Sequence, residues 1–320
     1  MSLDALNGGM EREFDALSHG FNIYNREIVA KNYDKNFIRA FRQIEFEKLI
    51  PQILTIHCDN GWKQLKVFEG GVGTGLFTIP IINYLLQRDS KSFLVGRDNS
   101  KAMLEELFKK PEFQSIQDRA EGRVSLGYGD LEQEDGYPKI DFNILFFAGV
   151  LHCLANQHFF LKQIDRILEK AGILIMIFKT DVFTRLQCGE RSSYPSVDTH
   201  YGNFWRYYYH LRDYYNIPIN PRCRFIYDAS AVNKLIQRQF NACYELQKIY
   251  EFTWPSVVPL DKIIYSIEHG LTFATGQGVS PGMRKKLAEE MRGWLSWNHR
   301  QNKEVEIDHK MELVVWKKTV

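Results

Sequence analysis

The chain has no Cys-x-x-Cys pair, and its five cysteines, Cys58, Cys153, Cys188, Cys223 and Cys243, are odd in number and scattered. That pattern excludes a zinc ribbon and a disulfide framework, and makes a reducing compartment the default. Long apolar runs are also missing: Ile144–Leu151 and Ile173–Phe178 are strand-sized and far short of a bilayer span. The first dozen residues are polar and carry Gly8-Gly9, which suits neither a signal peptide nor an anchor. A cytoplasmic protein with no membrane partner is the expectation. Charge of one sign is lacking too. Lys and Arg number 41 against 39 Asp and Glu, a net charge of +2, so nucleic acid is not an expected partner. No internal repeat or low-complexity tract appears, which removes solenoid architectures.

What the chain does have is a hydrophobic period that changes along its length. From about Glu13 to Leu54 the spacing predicts helix, with Phe37, Ala40, Phe41 and Ile44 on one face and Pro51 closing the stretch. Short strands are then predicted at Leu65–Phe68, Ser92–Gly96, Arg123–Leu126, Asp141–Phe147 and Ile173–Phe178. Helices separate them, one ending near Arg88 and others over Lys101–Lys109 and Gln157–Lys170. This alternation implies an α/β fold: a doubly wound, mostly parallel, Rossmann-like sheet. Ile173–Phe178 is nearly all apolar, so burial on both faces is expected.

Past Lys179 the rhythm breaks into a segment rich in Tyr, Arg and Pro. A helix over Ser230–Phe240 and a strand over Cys243–Phe252 restore it, and a final strand over Glu306–Lys317 is expected to run antiparallel. The expected organisation is an N-terminal helical cap over 1–62 and a cofactor-binding core over 63–181. An aromatic lid insertion over 182–228, a return to the core over 229–253, a second cap over 254–303 and the last core strand over 304–320 complete it.

The sharpest motif is Val67-Phe68-Glu69-Gly70-Gly71-Val72-Gly73-Thr74-Gly75, placed between a strand and a helix. Glycine lets backbone amides approach a ligand, and the helix that follows adds positive potential. A Walker loop would need Gly-Lys-Ser/Thr, and no lysine is present. A dinucleotide fingerprint fails as well, because Leu76 or Thr78 falls in its last place. Glu69 at the strand end would repel a pyrophosphate, whereas a carboxylate suits a ligand carrying an ammonium or sulfonium group.

In this respect the sequence resembles the class I S-adenosylmethionine-dependent methyltransferases, whose first motif is an acidic residue followed by alternating glycines. Further segments match that family in order. They are Gly96-Arg97-Asp98-Asn99-Ser100-Lys101-Ala102-Met103-Leu104, Gly129-Asp130-Leu131, Phe146 to Leu154, and Ile167 to Leu174, with Ala171 where many members carry glycine. The resemblance covers about residues 65–180 and implies S-adenosylmethionine as cofactor. It implies a cofactor-binding set of Glu69, Gly71, Gly73, Gly75, Asp98, Asn99, Met103, Gly129, Asp130, Leu131 and Ala148. Within that set, Glu69 would face the methionine ammonium and Asp98 the ribose hydroxyls. Met103 would pack on the adenine and Asp130 would accept from its amino group. Plainer roles stay open: Asp98 as a cap for the helix near Ser100, Asp130 as a turn residue, Met103 as core filler.

The acceptor is not written in these motifs. No Asn/Asp-Pro-Pro-Tyr/Phe sequence follows the fourth strand, no Pro-Cys nucleophile is present, and no carboxylate cluster suggests a resident metal. The aromatic insertions point to a small-molecule acceptor, amphiphilic or aromatic, methylated on an O or N atom. Two alternatives stand beside it. A macromolecule methyltransferase would use Arg284-Lys285-Lys286 and Lys317-Lys318, and a non-catalytic cofactor-binding protein would need no acceptor at all. His152, just past the fourth strand, is the candidate general base if its pKa is ordinary. Asp181, His200 and His210 are weaker candidates for the same work.

Overall fold

A computed structural model describes residues 26–34, 45–58, 61–180, 200–217, 228–240, 243–271, 279–298 and 304–319. The chain divides into two compact units. The first comprises Ala30–Thr180, Tyr227–Phe252 and Met311–Val320, and the second Met1–Val29, Asp181–Ile226 and Thr253–Lys310.

A seven-stranded sheet carries the first unit, in the order β3-β2-β1-β4-β5-β7-β6. Its strands are β1 (Lys66–Gly70), β2 (Phe93–Asp98), β3 (Val124–Tyr128), β4 (Phe142–Ala148), β5 (Leu168–Lys179), β6 (Tyr244–Pro259) and β7 (Glu304–Lys318). β1 to β5 pair in parallel, and β7 runs antiparallel to β5, so the predicted doubly wound sheet with a final antiparallel strand is present. β4 is buried along almost its whole length, as an interior parallel strand covered on both faces must be. Phe68, Phe142, Phe147, Phe160, Leu174 and Trp316 are among the side chains that fill this core.

Helices α1 (Glu27–Tyr33), α2 (Phe46–Cys58), α3 (Thr78–Arg88), α4 (Lys101–Phe108), α5 (Pro111–Gln117), α6 (Gln157–Ile167) and α8 (Ala229–Phe240) fill the intervals of the chain around it. Pro51 does not close the N-terminal helical stretch as its type suggests. It sits inside α2, which continues to Cys58 because Phe46, Ile50, Ile53, Leu54 and Cys58 bury one face. The positions 35–44, with the predicted face of Phe37, Ala40, Phe41 and Ile44, lie outside the described residues. Pro80 is in the first turn of α3, where an amide proton has no intrahelical partner to lose. α5 went unread in the sequence, although Pro111 at its start is a helix-initiating signal.

The second unit has its own core on α7 (His200–Tyr214), α9 (Leu260–His269) and α10 (Pro281–Asn298), with Val305 and Ile307 of β7. Phe204, Trp205, Tyr208 and Tyr209 are buried there, so these tyrosines are packing residues, whereas Tyr214 is exposed. Among the described residues no helix is long and apolar enough to cross a membrane.

Candidate functional site

The parallel register brings the predicted motifs to one edge of the sheet. Glu69 aligns with Gly96 on β2 and Phe146 on β4, and Gly70 with Arg97 and Phe147. Asp98 ends β2, and Ala148 ends β4 opposite Ile177. These are C-terminal strand ends on either side of β1, where an open α/β sheet places its ligand.

The glycine turn is shaped by backbone demands that differ residue by residue. Gly71 has φ +79° and donates its N–H to Arg97 O at 2.8 Å, and a Cβ there would fall 2.3 Å from Val150 Cγ2. Gly75 has φ +85°, and its missing Cβ leaves room for Leu107. Gly73 is different: φ is +56°, yet nothing lies within 4 Å of where a Cβ would be. Gly71 and Gly75 serve packing as well as the turn, and Gly73 alone of these three opens onto empty space.

Two carboxyl groups stand at this edge of the sheet. Glu69 is 1% exposed and its Oε2 has no hydrogen-bond partner. Burial pushes its pKa up to about 8; the nearby Thr78 hydroxyl, itself short of hydrogen-bond geometry, offsets part of this, and the charge of Asp98 adds to it. The residue read from sequence as a standing carboxylate therefore keeps its proton near neutral pH. Asp98 accepts from Gly73 N–H at 2.7 Å and from Ser100 N–H at 2.8 Å. Burial raises its pKa to about 6, against the lowering effect of those two bonds. Ser100, rather than Asp98, caps α4, its hydroxyl accepting from Met103 N–H at 3.1 Å. Asn99 is half-buried beside it, and Met103 is buried.

Gly129, Asp130 and Leu131, expected on the adenine side, form a tight turn after β3. Asp130 Oδ1 accepts from Glu132 N–H at 3.0 Å, the local turn bond its type predicts. Gly129 has no room for a Cβ because the Arg97 stem lies against it. Leu131 is buried, and Tyr137 Oη donates to its carbonyl at 2.7 Å. Glu132 was not singled out in the sequence. It accepts from Ala155 and Asn156 N–H at 2.6 and 3.0 Å, tying this turn to the segment after β4.

His152 lies in a single 3-10 turn, Leu151–Cys153, following Gly149 with φ +64°. Burial pulls its pKa down to about 4, so the expectation of an ordinary histidine pKa is corrected. The ring is neutral at pH 7, but a base whose conjugate acid is that strong takes a proton poorly. Asp181 lies outside the described residues. His210 is exposed on α7 and His200 begins that helix, both in the second unit.

Asp34 and Tyr33, at the end of α1, also belong to this edge, although nothing near them in sequence signals it. Asp34 accepts from the Thr74 hydroxyl and pairs with Lys110. Tyr33 lies within electrostatic reach of Cys153, Asp98 and Asp34, and burial raises its pKa.

A sheet of this order with an acidic, glycine-opened edge defines the class I methyltransferase fold. Residues 68–176 match the family model described as a methyltransferase domain, so the chain carries such a domain over that stretch. No curated protein matches the chain in sequence. Among solved structures, a Bacillus halodurans C-125 protein described as a candidate methyltransferase is 16% identical, with a TM-score of 0.50 over 86% of this chain and 99% of its own. The Bacillus subtilis YcgJ protein is 15% identical, with a TM-score of 0.49 over 84% and 98%. A Haemonchus contortus phosphoethanolamine N-methyltransferase 2, solved with S-adenosyl-L-methionine, is 12% identical, with a TM-score of 0.41 over 84% and 52%. At such identities the likeness is one of fold.

S-adenosylmethionine is the cofactor of this domain, and the residues present fit it. The orphaned Oε2 of buried Glu69 and the open space at Gly73 are features that a cationic ligand would use.

Proposed function

We propose that the protein is an S-adenosylmethionine-dependent methyltransferase acting on an O or N atom of a small molecule. The observation that carries the first part is the buried carboxyl of Glu69, its Oε2 without a hydrogen-bond partner, at the strand end that leads into the glycine turn. When bound, the cofactor supplies an electrophilic methyl group on its sulfonium. The protein's part is to bind and orient. Glu69 would hold the ammonium, Asp98 the ribose hydroxyls and the Asp130–Leu131 turn the adenine edge, while Gly71, Gly73 and Gly75 let the backbone approach.

Contacts within the fold made by Arg284, Lys286 and Lys318 support a small acceptor over a macromolecule. Arg284, part of the basic triplet that a macromolecule methyltransferase would use, is buried and donates to Val279 O at 3.0 Å. Lys286 Nζ sits 4.2 Å over the Tyr215 ring, and Lys318 Nζ donates to the Asp165 and Leu168 carbonyls at 2.7 and 3.1 Å. Titration calorimetry with S-adenosylhomocysteine tests the cofactor half, and no heat from well-folded protein would end this reading. Screening metabolites for labelled-methyl incorporation tests the acceptor half; incorporation into RNA or protein only would replace it.

His152, neutral and weakly basic, is assigned to positioning the acceptor through a hydrogen bond, with the positive sulfonium supplying most of the driving force. We expect His152→Ala to lose less than about 100-fold in kcat, below the usual range for a lost general base. Its pH–rate profile between pH 5.5 and 8 should keep the wild-type shape. A larger loss together with a missing titration step would restore His152 as the base.

A further inference from the structure

The chain ahead of the sheet is bolted to the glycine turn at a point the cofactor reading does not use. Asp34 accepts through Oδ1 from the hydroxyl of Thr74, 40 positions away, and pairs through Oδ2 with Lys110 Nζ at the start of α5. Thr74 is 2% exposed and lies between the two glycines whose amides and φ values shape the turn. Its neighbour Gly73 is held from the other side, by Asp98 at 2.7 Å. One turn is thus gripped by two carboxylates, one from the end of β2 and one from the end of α1, and all of these residues belong to the first unit. Tyr33, next to Asp34, is carried by the same anchor to the side of Asp98 and Cys153.

We propose that Asp34 is a positioning residue that fastens the Ala30–Asp34 segment across the glycine turn and thereby prolongs the residence of the cofactor. The inference rests on the S-adenosylmethionine reading of the site. Its physical basis is preorganisation. Gly71, Gly73 and Gly75 all adopt positive φ, a conformation that glycine leaves as readily as it enters. A turn made of such residues binds its ligand firmly only when other contacts hold it in place. Asp98 cannot be the sole holder, because the same carboxylate is the group assigned to the ribose. Asp34 grips the turn through Thr74 without touching the ligand's place, and Lys110 keeps the carboxylate aimed.

The variants separate the two grips. Asp34→Asn keeps an oxygen for the Thr74 hydroxyl and loses the charge toward Lys110; Asp34→Ala loses both, and Lys110→Met removes only the ion pair. On the full-length protein, dissociation of labelled S-adenosylhomocysteine should be about tenfold faster in Asp34→Ala and only a few-fold faster in the other two. In ligand-free protein, hydrogen exchange of the 72–77 amides should rise about tenfold in Asp34→Ala, while that of the β4 amides stays at its wild-type rate. Thr74→Val carries the same two readouts if Asp34→Ala does not fold. Unchanged dissociation together with unchanged exchange would overturn the proposal. If wild-type protein binds no S-adenosylhomocysteine, the cofactor reading fails and the exchange arm still judges the fastening on its own: a rise supports it, no rise ends it.

Discussion

Glu69 joins the stability of the protein to its chemistry. In the unfolded chain a glutamate ionises near 4.5, and in the fold this one holds its proton to about 8. Its stabilising contribution is fully present below pH 4.5 and is lost as pH rises through 8, because the folded state must then bury a charge that the unfolded state leaves in water. Asp98 acts in the same sense between 3.8 and about 6. Glu69→Gln should therefore match wild-type stability near pH 4 and exceed it by on the order of 1–3 kcal/mol at pH 8–9. Urea unfolding at both pH values checks this, and parallel pH curves would show that Glu69 is not the titrating group. Binding reverses the preference. A cationic cofactor favours the carboxylate, so calorimetry near pH 7 in buffers of different ionisation enthalpy should record proton release in wild type and none in Glu69→Gln.

Turns and strand ends show where local sequence specifies an element and where it does not. Gly73→Ala should fold with only the strain of a left-handed alanine, on the order of 1 kcal/mol, and lose S-adenosylhomocysteine affinity as its methyl enters the open space. Retained affinity would move the ligand away from the turn. Ala171 adopts φ +61° at the foot of β5, so Ala171→Gly should raise stability by about 0.5–1 kcal/mol in urea unfolding. The strands were legible because parallel interior strands read as short apolar runs, and the glycine turn because its backbone excludes other residues. Asp34 was not legible, since its partners Thr74 and Lys110 are distant in sequence and no local pattern joins them. The burial of Arg284 is legible in the period: 284, 287, 288, 291 and 295 share one helical face, and that face is buried.

The chain passes between its two units at 29/30, 180/181, 226/227, 252/253 and 310/311, yet every described residue assigned to the cofactor lies in the first. The second unit is a separate aromatic core in which Trp205 is fully buried against Phe204, Tyr208 and Tyr209. A core lesion in the second unit should thus be felt there first. Trp205→Ala is expected to cost about 3–5 kcal/mol locally and to split thermal unfolding into two steps, with the second unit melting first. S-adenosylhomocysteine affinity, measured below the first step, should stay within about twofold of wild type. A single unfolding step with a parallel loss of cofactor affinity would show that the two units fold as one.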